Sequence, residues 1–210
     1  MVNVGAGTGN YEPADRLVVA VEPSVEMIRQ RTSPAPVVRA RAEQLPFGDG
    51  AFDAAMALLT THHWDDPATG LDELRRVSRR QVVWFCEPLD PAWFWPLRYF
   101  PEAAHLPSVA APPGAGLLRD RLDVREIRTL RIPHDCTDGF GVAYWARPEA
   151  YLEPVVQAGM SWLALLDPAA RRAGTERLAT DLASGRWDRQ FGRLRALHDF
   201  DGGLRIAIAG

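Results

Sequence analysis

An α/β fold with a doubly wound, mostly parallel sheet is predicted by three features of this chain. Short β-rich runs alternate with helical ones through the first half, the pattern of βαβ units. The first run, Val2–Val4, leads straight into a glycine turn, Gly5-Ala6-Gly7-Thr8-Gly9-Asn10. A second, Arg16–Glu22, ends in an acid thirteen residues after Gly9.

The first strand is read over 2–5. Glycines at alternate positions let the backbone pass close to a ligand and take up angles that a Cβ forbids. A helix over about 9–14 is expected next, with its free N–H groups and positive end aimed into the space above the turn. Such a turn suits a nucleotide-type ligand. The dinucleotide fingerprint asks for a glycine three residues after the second one, whereas here the third is Gly9 and position 10 is Asn10. A second strand, over 17–22, ends at Glu22, where a carboxylate can accept both hydroxyls of a ribose. Pro23-Ser24 turns the chain into a helix over 24–31, with Met27 and Ile28 one turn in. A third strand over 37–41 precedes Ala42-Glu43-Gln44-Leu45-Pro46-Phe47 and Asp49-Gly50-Ala51-Phe52-Asp53. The apolar run Ala51–Leu59 holds the fourth strand, over 52–59, and Asp49 and Asp53 read as turn and strand-start residues. His62 and His63 follow at the mouth of the site, where a histidine can act as a general base near neutral pH. The other reading packs one of them inward and leaves its neighbour in solvent. Asp65-Asp66-Pro67 is an acidic cap with proline in the first turn, so a helix is expected over 67–79, then a fifth strand over 81–86.

After Glu87 the texture changes. Pro88 to Gly116 is rich in proline and holds Trp93, Phe94, Trp95, Tyr99 and Phe100, either an acceptor platform or core or lid packing. A sixth strand is read over Val124–Pro133, and His134-Asp135-Cys136-Thr137-Asp138 stands at its end, followed by Tyr144 and Trp145. Neighbouring side chains on a strand point to opposite faces, so His, Asp and Cys in succession do not make a triad. They are equally poor geometry for a metal, and none is expected. Trp93, His134, Asp135 and Trp145 are candidate substrate contacts. Ala150 to about Leu197 is helical in character, with Pro168 opening one helix and Gly185 interrupting another, and 203–209 forms a seventh strand. The expected organisation is one domain over 1–210, with helical and aromatic cap-like insertions at about 88–116 and 148–198.

The net charge of −3 implies no polyanionic partner. All 24 basic residues are arginine, as a GC-rich genome would spell them. Arg75, Arg76, Arg79 and Arg80 close a helix, where cations suit the dipole, and read as a solvated helix end. Cys86 and Cys136, fifty residues apart, fit two free thiols in a reducing cytosol better than a disulfide. No apolar run approaches the 18 or so residues of a spanning helix, and no signal segment opens the chain. A soluble cytoplasmic protein, with neither nucleic acid nor membrane as partner, is expected; oligomeric state is left open.

The segments VNVGAGTGN, VVAVEPSVEM and ARAEQLPFGDGAFDAAMALLTTHHW, in that order and spacing, resemble the class I methyltransferases that use S-adenosylmethionine. The resemblance covers Val2 to about Glu87 well and Val124 to the end more loosely. It implies a Rossmann-like sheet of seven strands, with the cofactor across their C-terminal ends. By position, Gly5, Ala6, Gly7 and Gly9 would line the methionine and ribose, and Glu22 would hold the ribose hydroxyls. Pro23 and Met27 would flank the adenine, Ala42 and Glu43 would meet its edge, and Ala57 and Leu58 would lie under the cofactor. Two departures bear on cofactor affinity. Asn3 stands where the family usually has an acid, which weakens charge-assisted contacts near the cofactor's amino group. The family also has some tens of residues ahead of the first strand, forming a helix over the cofactor, whereas Met1 here begins the strand; truncation, a misassigned start and cover by another segment are all open. The implied activity is methyl transfer to a small-molecule acceptor by in-line displacement, in which alignment supplies much of the acceleration. His62 or His63 would serve as a base only for a hydroxyl or thiol acceptor. Two alternatives remain: a catalytically silent member acting as a scaffold, and a nicotinamide-dependent oxidoreductase, disfavoured by Gly9-Asn10.

Overall fold

Valine-rich runs become strands here because β-branched side chains suit a pleated, buried surface. The computed structural model describes residues Met1–Gly210. Its strands are β1 (Val2–Val4), β2 (Val19–Val21), β3 (Val37–Val38), β4 (Ala55–Leu58), β5 (Gln81–Cys86), β6 (Val124–Thr129), β7 (Ile132–Pro133), β8 (Asp199–Phe200) and β9 (Leu204–Ala209). Its helices are α1 (Val25–Arg29), α2 (Pro67–Val77), α3 (Pro107–Ala110), α4 (Ala115–Arg121), α5 (Pro154–Gly159), α6 (Ser161–Ala164), α7 (Pro168–Ala183) and α8 (Arg186–Phe191). The chain forms two units, one of Met1–Glu87, Pro112–Thr129 and Leu204–Gly210, the other of Pro88–Ala111 and Leu130–Gly203.

The first unit is built on a seven-stranded sheet in the order β3-β2-β1-β4-β5-β9-β6. Strands β1 to β5 are parallel, and β9 runs antiparallel between β5 and β6. The strand order reverses at β1, which pairs with β2 on one side and β4 on the other. Chains leaving β1 and β4 therefore diverge and open a crevice at the strands' C-terminal ends, where ligands bind in such sheets. Val2, Val4, Ala57, Val83, Phe85 and Ala207 share one core with Leu71, Leu74 and Val77 of α2 and with Leu118 of α4. Helix α2 starts as its cap predicts: Asp66 accepts from the N–H groups of Ala68 (3.0 Å) and Thr69 (3.2 Å), with Pro67 in the first turn. The opposite face of the sheet carries Val82, Trp84, Ile206 and Ile208, each only half-buried, with the edge of Tyr11 against Trp84.

Three expectations are corrected. Residues 9–14 form turns and not a helix. Gly9 lies at φ +89°, outside the helical region, and Pro13 lacks the N–H that an i→i−4 bond to Gly9 requires. The fourth strand narrows from 52–59 to β4, leaving Phe52 in an isolated parallel bridge with Ser78. The alternation over 124–133 breaks into two strands. β6 runs out of partner where β9 begins, at the pairing of Thr129 with Arg205, so Ile132 and Pro133 pair instead with Phe200 and Asp199 in the other unit.

The second unit has an aromatic core. Trp95 lies edge-on to Tyr99, Tyr151 and Trp187, with ring centroids 5.9, 5.1 and 5.3 Å away, an arrangement that suits the ring quadrupoles. Its indole N–H donates to the Trp145 carbonyl at 2.8 Å. Helix α7 opens on the Asp167 cap and Pro168, and Gly185, at φ +67°, separates it from α8. Phe94, Trp95 and Phe100 are at most 2% exposed, so these rings serve as packing; within the aromatic run Trp93 stays half-buried.

Candidate functional site

The glycine turn takes its shape from left-handed backbone at Gly5 (φ +70°), Gly7 (φ +52°) and Gly9 (φ +89°), conformations that cost an L-residue about 1–2 kcal/mol each. The N–H groups of Gly5 and Ala6 both donate to the Val21 carbonyl, at 2.9 and 3.0 Å, tying the turn to the end of β2. Glu22 is 6% exposed. One of its oxygens accepts from the Gly7 N–H at 2.8 Å, the other from the Ser24 N–H at 2.9 Å. The carboxylate is thereby held in orientation, and each oxygen keeps acceptor capacity for a further donor. A Cβ on Gly5 would come within 1.9 Å of Thr60 Oγ1, and one on Gly9 within 2.6 Å of Ser33 Cβ. A Cβ on Gly7 would meet nothing within 4 Å. Gly5 and Gly9 are thus demanded by packing, while Gly7 fronts open space.

Behind the turn lies a buried ion pair. Arg31 donates to both oxygens of Glu12 at 2.8 Å, and the two side chains are 5% and 3% exposed. Burial alone would raise the Glu12 pKa, but hydrogen bonds from Arg31, Ser33 and Asn3 and the guanidinium charge outweigh it and hold the carboxyl below its ordinary range.

β4 leads into Leu59, the one non-glycine residue with positive φ (+52°), and then into a 3-10 turn over Thr61–His63. The His62 and His63 rings lie 4.0 Å apart. Burial, and then the neighbouring His63, push the His62 pKa down to about 4. Desolvation also lowers His63, with the Glu22 carboxylate pulling the other way. His62 is uncharged at neutral pH and a weak proton acceptor there, since a base works best with its pKa near the operating pH. Because the folded pKa of His62 lies below its unfolded value, its contribution to stability is present above about pH 6.5 and is lost as the pH falls toward 4. Urea unfolding at pH 7.5 and pH 5 should show the wild type losing more stability than His62→Gln; equal losses would refute the shift.

The remaining predicted residues divide by exposure. Pro23 is exposed and Met27 is 45% exposed, whereas Ala42 (5% exposed) and Ala57 (0% exposed) are core members, so that Ala57 has no surface to offer a ligand. Leu58 is half-buried, and Glu43 accepts from the Asp66 N–H at 3.1 Å. In the second unit Trp145 is fully buried, stacked on Phe200 at 5.2 Å, and so presents no free face. His134 is half-buried with its ring 6.3 Å from that of Trp145, and Asp135 is exposed. No three His, Cys, Asp or Glu side chains gather as metal ligands. Both cysteines are free, and burial pushes the Cys86 thiol up to about 12.

Arg76 departs from the solvated helix end predicted for it. It donates to the carbonyls of Phe47 (2.8 Å) and Leu45 (3.1 Å) and pairs with Asp49 and Glu73, organising the loop before β4. Sequence reasoning also passed over Thr60, Glu12, Arg31 and Ser33. Thr60 could have been found as the first polar residues after the fourth strand were read; the other three carry no local signal, since nothing in the sequence marks a charge as buried. No helix is long and apolar enough to cross a membrane.

Comparison with known proteins follows this geometry. Residues 2–86 match the family described as a methyltransferase domain. The solved structure of a putative methyltransferase from an antibiotic biosynthesis pathway of Anabaena variabilis superposes with a TM-score of 0.90 at 30% identity, covering 100% of this chain and 89% of that one. The uncharacterized protein YafE of Escherichia coli K12 is 26% identical over 122 residues, 54% of this chain, and the match spans 58% of its length. The [4+2]-cyclase SpnF shares the fold at 14% identity, with a TM-score of 0.54 over 99% of this chain and 72% of that one. With its seven-stranded sheet, its glycine turn and a relative alike over the whole chain, the protein belongs to the class I S-adenosylmethionine-dependent methyltransferases.

Proposed function

We propose that this protein binds S-adenosylmethionine in the glycine turn and catalyses transfer of its methyl group to a small-molecule acceptor by in-line displacement. The observation that carries this reading is the buried Glu22 carboxylate, aimed by the N–H groups of Gly7 and Ser24 beside the open space in front of Gly7. A ribose offers two adjacent hydroxyl donors, which suit two oxygens with acceptor capacity left. The absence of a Cβ at Gly7 leaves the room for a sugar and sulfur to lie against the backbone.

When bound, S-adenosylmethionine supplies a methyl group activated by its sulfonium charge. What the chain would contribute is orientation: Glu22 and the turn would hold the adenosyl end, Pro23 and Met27 would flank the adenine, Ala42 and Glu43 would meet its edge, and Leu58, on the support of buried Ala57, would form the floor. For a hydroxyl or thiol acceptor, His63 is better matched to taking the proton than His62, whose pKa is near 4. The Anabaena variabilis relative is named for an antibiotic pathway, which favours a small organic acceptor; Trp93, His134 and Asp135 are the side chains proposed to meet it. Free Cys86 and Cys136 suit a reducing, cytoplasmic setting.

Melting in the presence of S-adenosylmethionine, S-adenosylhomocysteine and NAD tests the cofactor. A ligand at 100 times its dissociation constant adds about 2.7 kcal/mol, and the two adenosyl ligands alone should raise the melting temperature. Glu22→Ala should abolish that rise; a rise that survives the substitution would sink the assignment. Because a cyclase shares the fold, transfer itself is read from a labelled methyl group appearing in a small acceptor.

A further inference from the structure

Gly7 is gripped through its two flanking peptide groups by charged groups of opposite sign. Glu22 accepts its N–H at 2.8 Å, and Arg31 Nη1 donates to its carbonyl at 3.2 Å. Arg31 is itself oriented by its two-pronged pair with Glu12. Ser33 Oγ donates to the same carboxylate, as does Asn3 Nδ2 at 3.1 Å. Two stretches of chain thus converge on the Glu12 carboxylate, β1 through Asn3 and the loop after α1 through Arg31 and Ser33, and Arg31 carries the link on to the glycine turn. The backbone repeats the link, with the Thr32 N–H donating to the Thr8 carbonyl at 3.2 Å.

A buried ion pair is seldom a gain in stability over apolar groups of the same volume, so its presence calls for a role in placing something. Residues 9–14 form no helix that could brace the turn, and the space where a Cβ of Gly9 would point is filled by Ser33, Arg31 and Glu12. We infer that Glu12 and Arg31 are positioning residues: with Asn3 and Ser33 they fix Gly7 from its carbonyl side while Glu22 holds its N–H, so that both flanking peptide groups are set and the turn is ready for the ligand before the ligand arrives. Asparagine at position 3 follows from the same geometry, since a carboxylate there would stand beside that of Glu12 and repel it. The inference rests on the reading of the turn as an adenosyl-ligand site.

The test uses the full chain in three forms: wild type, Arg31→Lys and the double variant Glu12→Gln/Arg31→Met. Calorimetry reads affinity for S-adenosylhomocysteine, and hydrogen exchange reads the Gly7, Thr8 and Gly9 amides without ligand. The double variant carries no unpaired buried charge and should melt near the wild-type temperature. Its affinity should nevertheless fall about 10- to 100-fold, the worth of one hydrogen bond from a charged group, and its Gly7 amide should exchange faster by a similar factor. Arg31→Lys keeps the charge but not the fork that reaches Glu12 and Gly7 together, and should show the same two changes with the fold intact. Should the double variant fail to fold, Arg31→Lys decides the matter alone. Wild-type affinity and exchange in either folded variant would overturn the inference. If the wild-type protein binds no S-adenosylhomocysteine, the adenosyl reading fails instead, and the exchange rates still decide whether the pair holds the turn.

Discussion

Gly5→Ala is expected to lose adenosyl-ligand binding altogether and to lower the melting temperature by roughly 10 °C. The added methyl would sit 1.9 Å from Thr60 Oγ1 on a backbone at φ +70°. The left-handed conformation costs about 1–2 kcal/mol, and overpacking against Thr60 about 1–3 kcal/mol more. Either β1 and β4 move apart at the crevice or the turn changes shape, and both spoil the site. Gly7→Ala supplies the contrast, because its methyl meets nothing within 4 Å. It should cost only the backbone term, about 1–2 kcal/mol, while blocking the ligand as fully as Gly5→Ala does. Differential scanning calorimetry and isothermal titration on the two variants separate the effects. Full affinity in Gly7→Ala would mean that the ligand does not lie against this turn.

Arg31→Met is expected to destabilise the protein by about 3–5 kcal/mol at pH 8, because it leaves the Glu12 carboxylate buried without its partner. The pH dependence carries a sign that checks the cause. In the wild type the folded pKa of Glu12 is depressed below its ordinary value of 4.5, so its stabilisation is present above about that pH and is lost as the pH falls through the folded value. In Arg31→Met the guanidinium is gone, desolvation prevails, and the carboxyl prefers its protonated form. The stability gap between the two proteins should therefore shrink as the pH falls from 8 to 4.5, as read by urea unfolding. A constant gap would mean that the cost lies in packing of the arginine stem and not in charge.

Much of the site was legible in the sequence because its logic is local. Glycines at 5, 7 and 9 take positive φ where alternating glycines follow a strand, and Glu22 stands at the end of β2 with its carboxylate engaged by Gly7. Asp66-Pro67 starts α2, and Pro168 and Gly185 mark the ends of helices. The helix expected over 9–14, as follows the glycine turn in nucleotide-binding folds, does not form because Pro13 and the inward pull on Glu12 decide otherwise. The aromatic run was legible as a cluster with packing as one of its two readings, but not which partners it packs on, since burial of Trp95 depends on Tyr151 and Trp187, far along the chain.

The sequence by itself determined the alternation of strands and helices, the glycine turn, the acid at the end of the second strand and the helix caps, since each depends on backbone angles and hydrogen bonds among neighbours. Only the tertiary structure decided that Glu12 and Arg31, nineteen residues apart, bury as a pair behind that turn, that Thr60 closes on Gly5, that β6 loses its partner where β9 begins, and that burial pushes the His62 pKa down to about 4. Those outcomes depend on desolvation and on partners brought from distant stretches of the chain, and a charge carries no mark in the sequence of whether water will reach it.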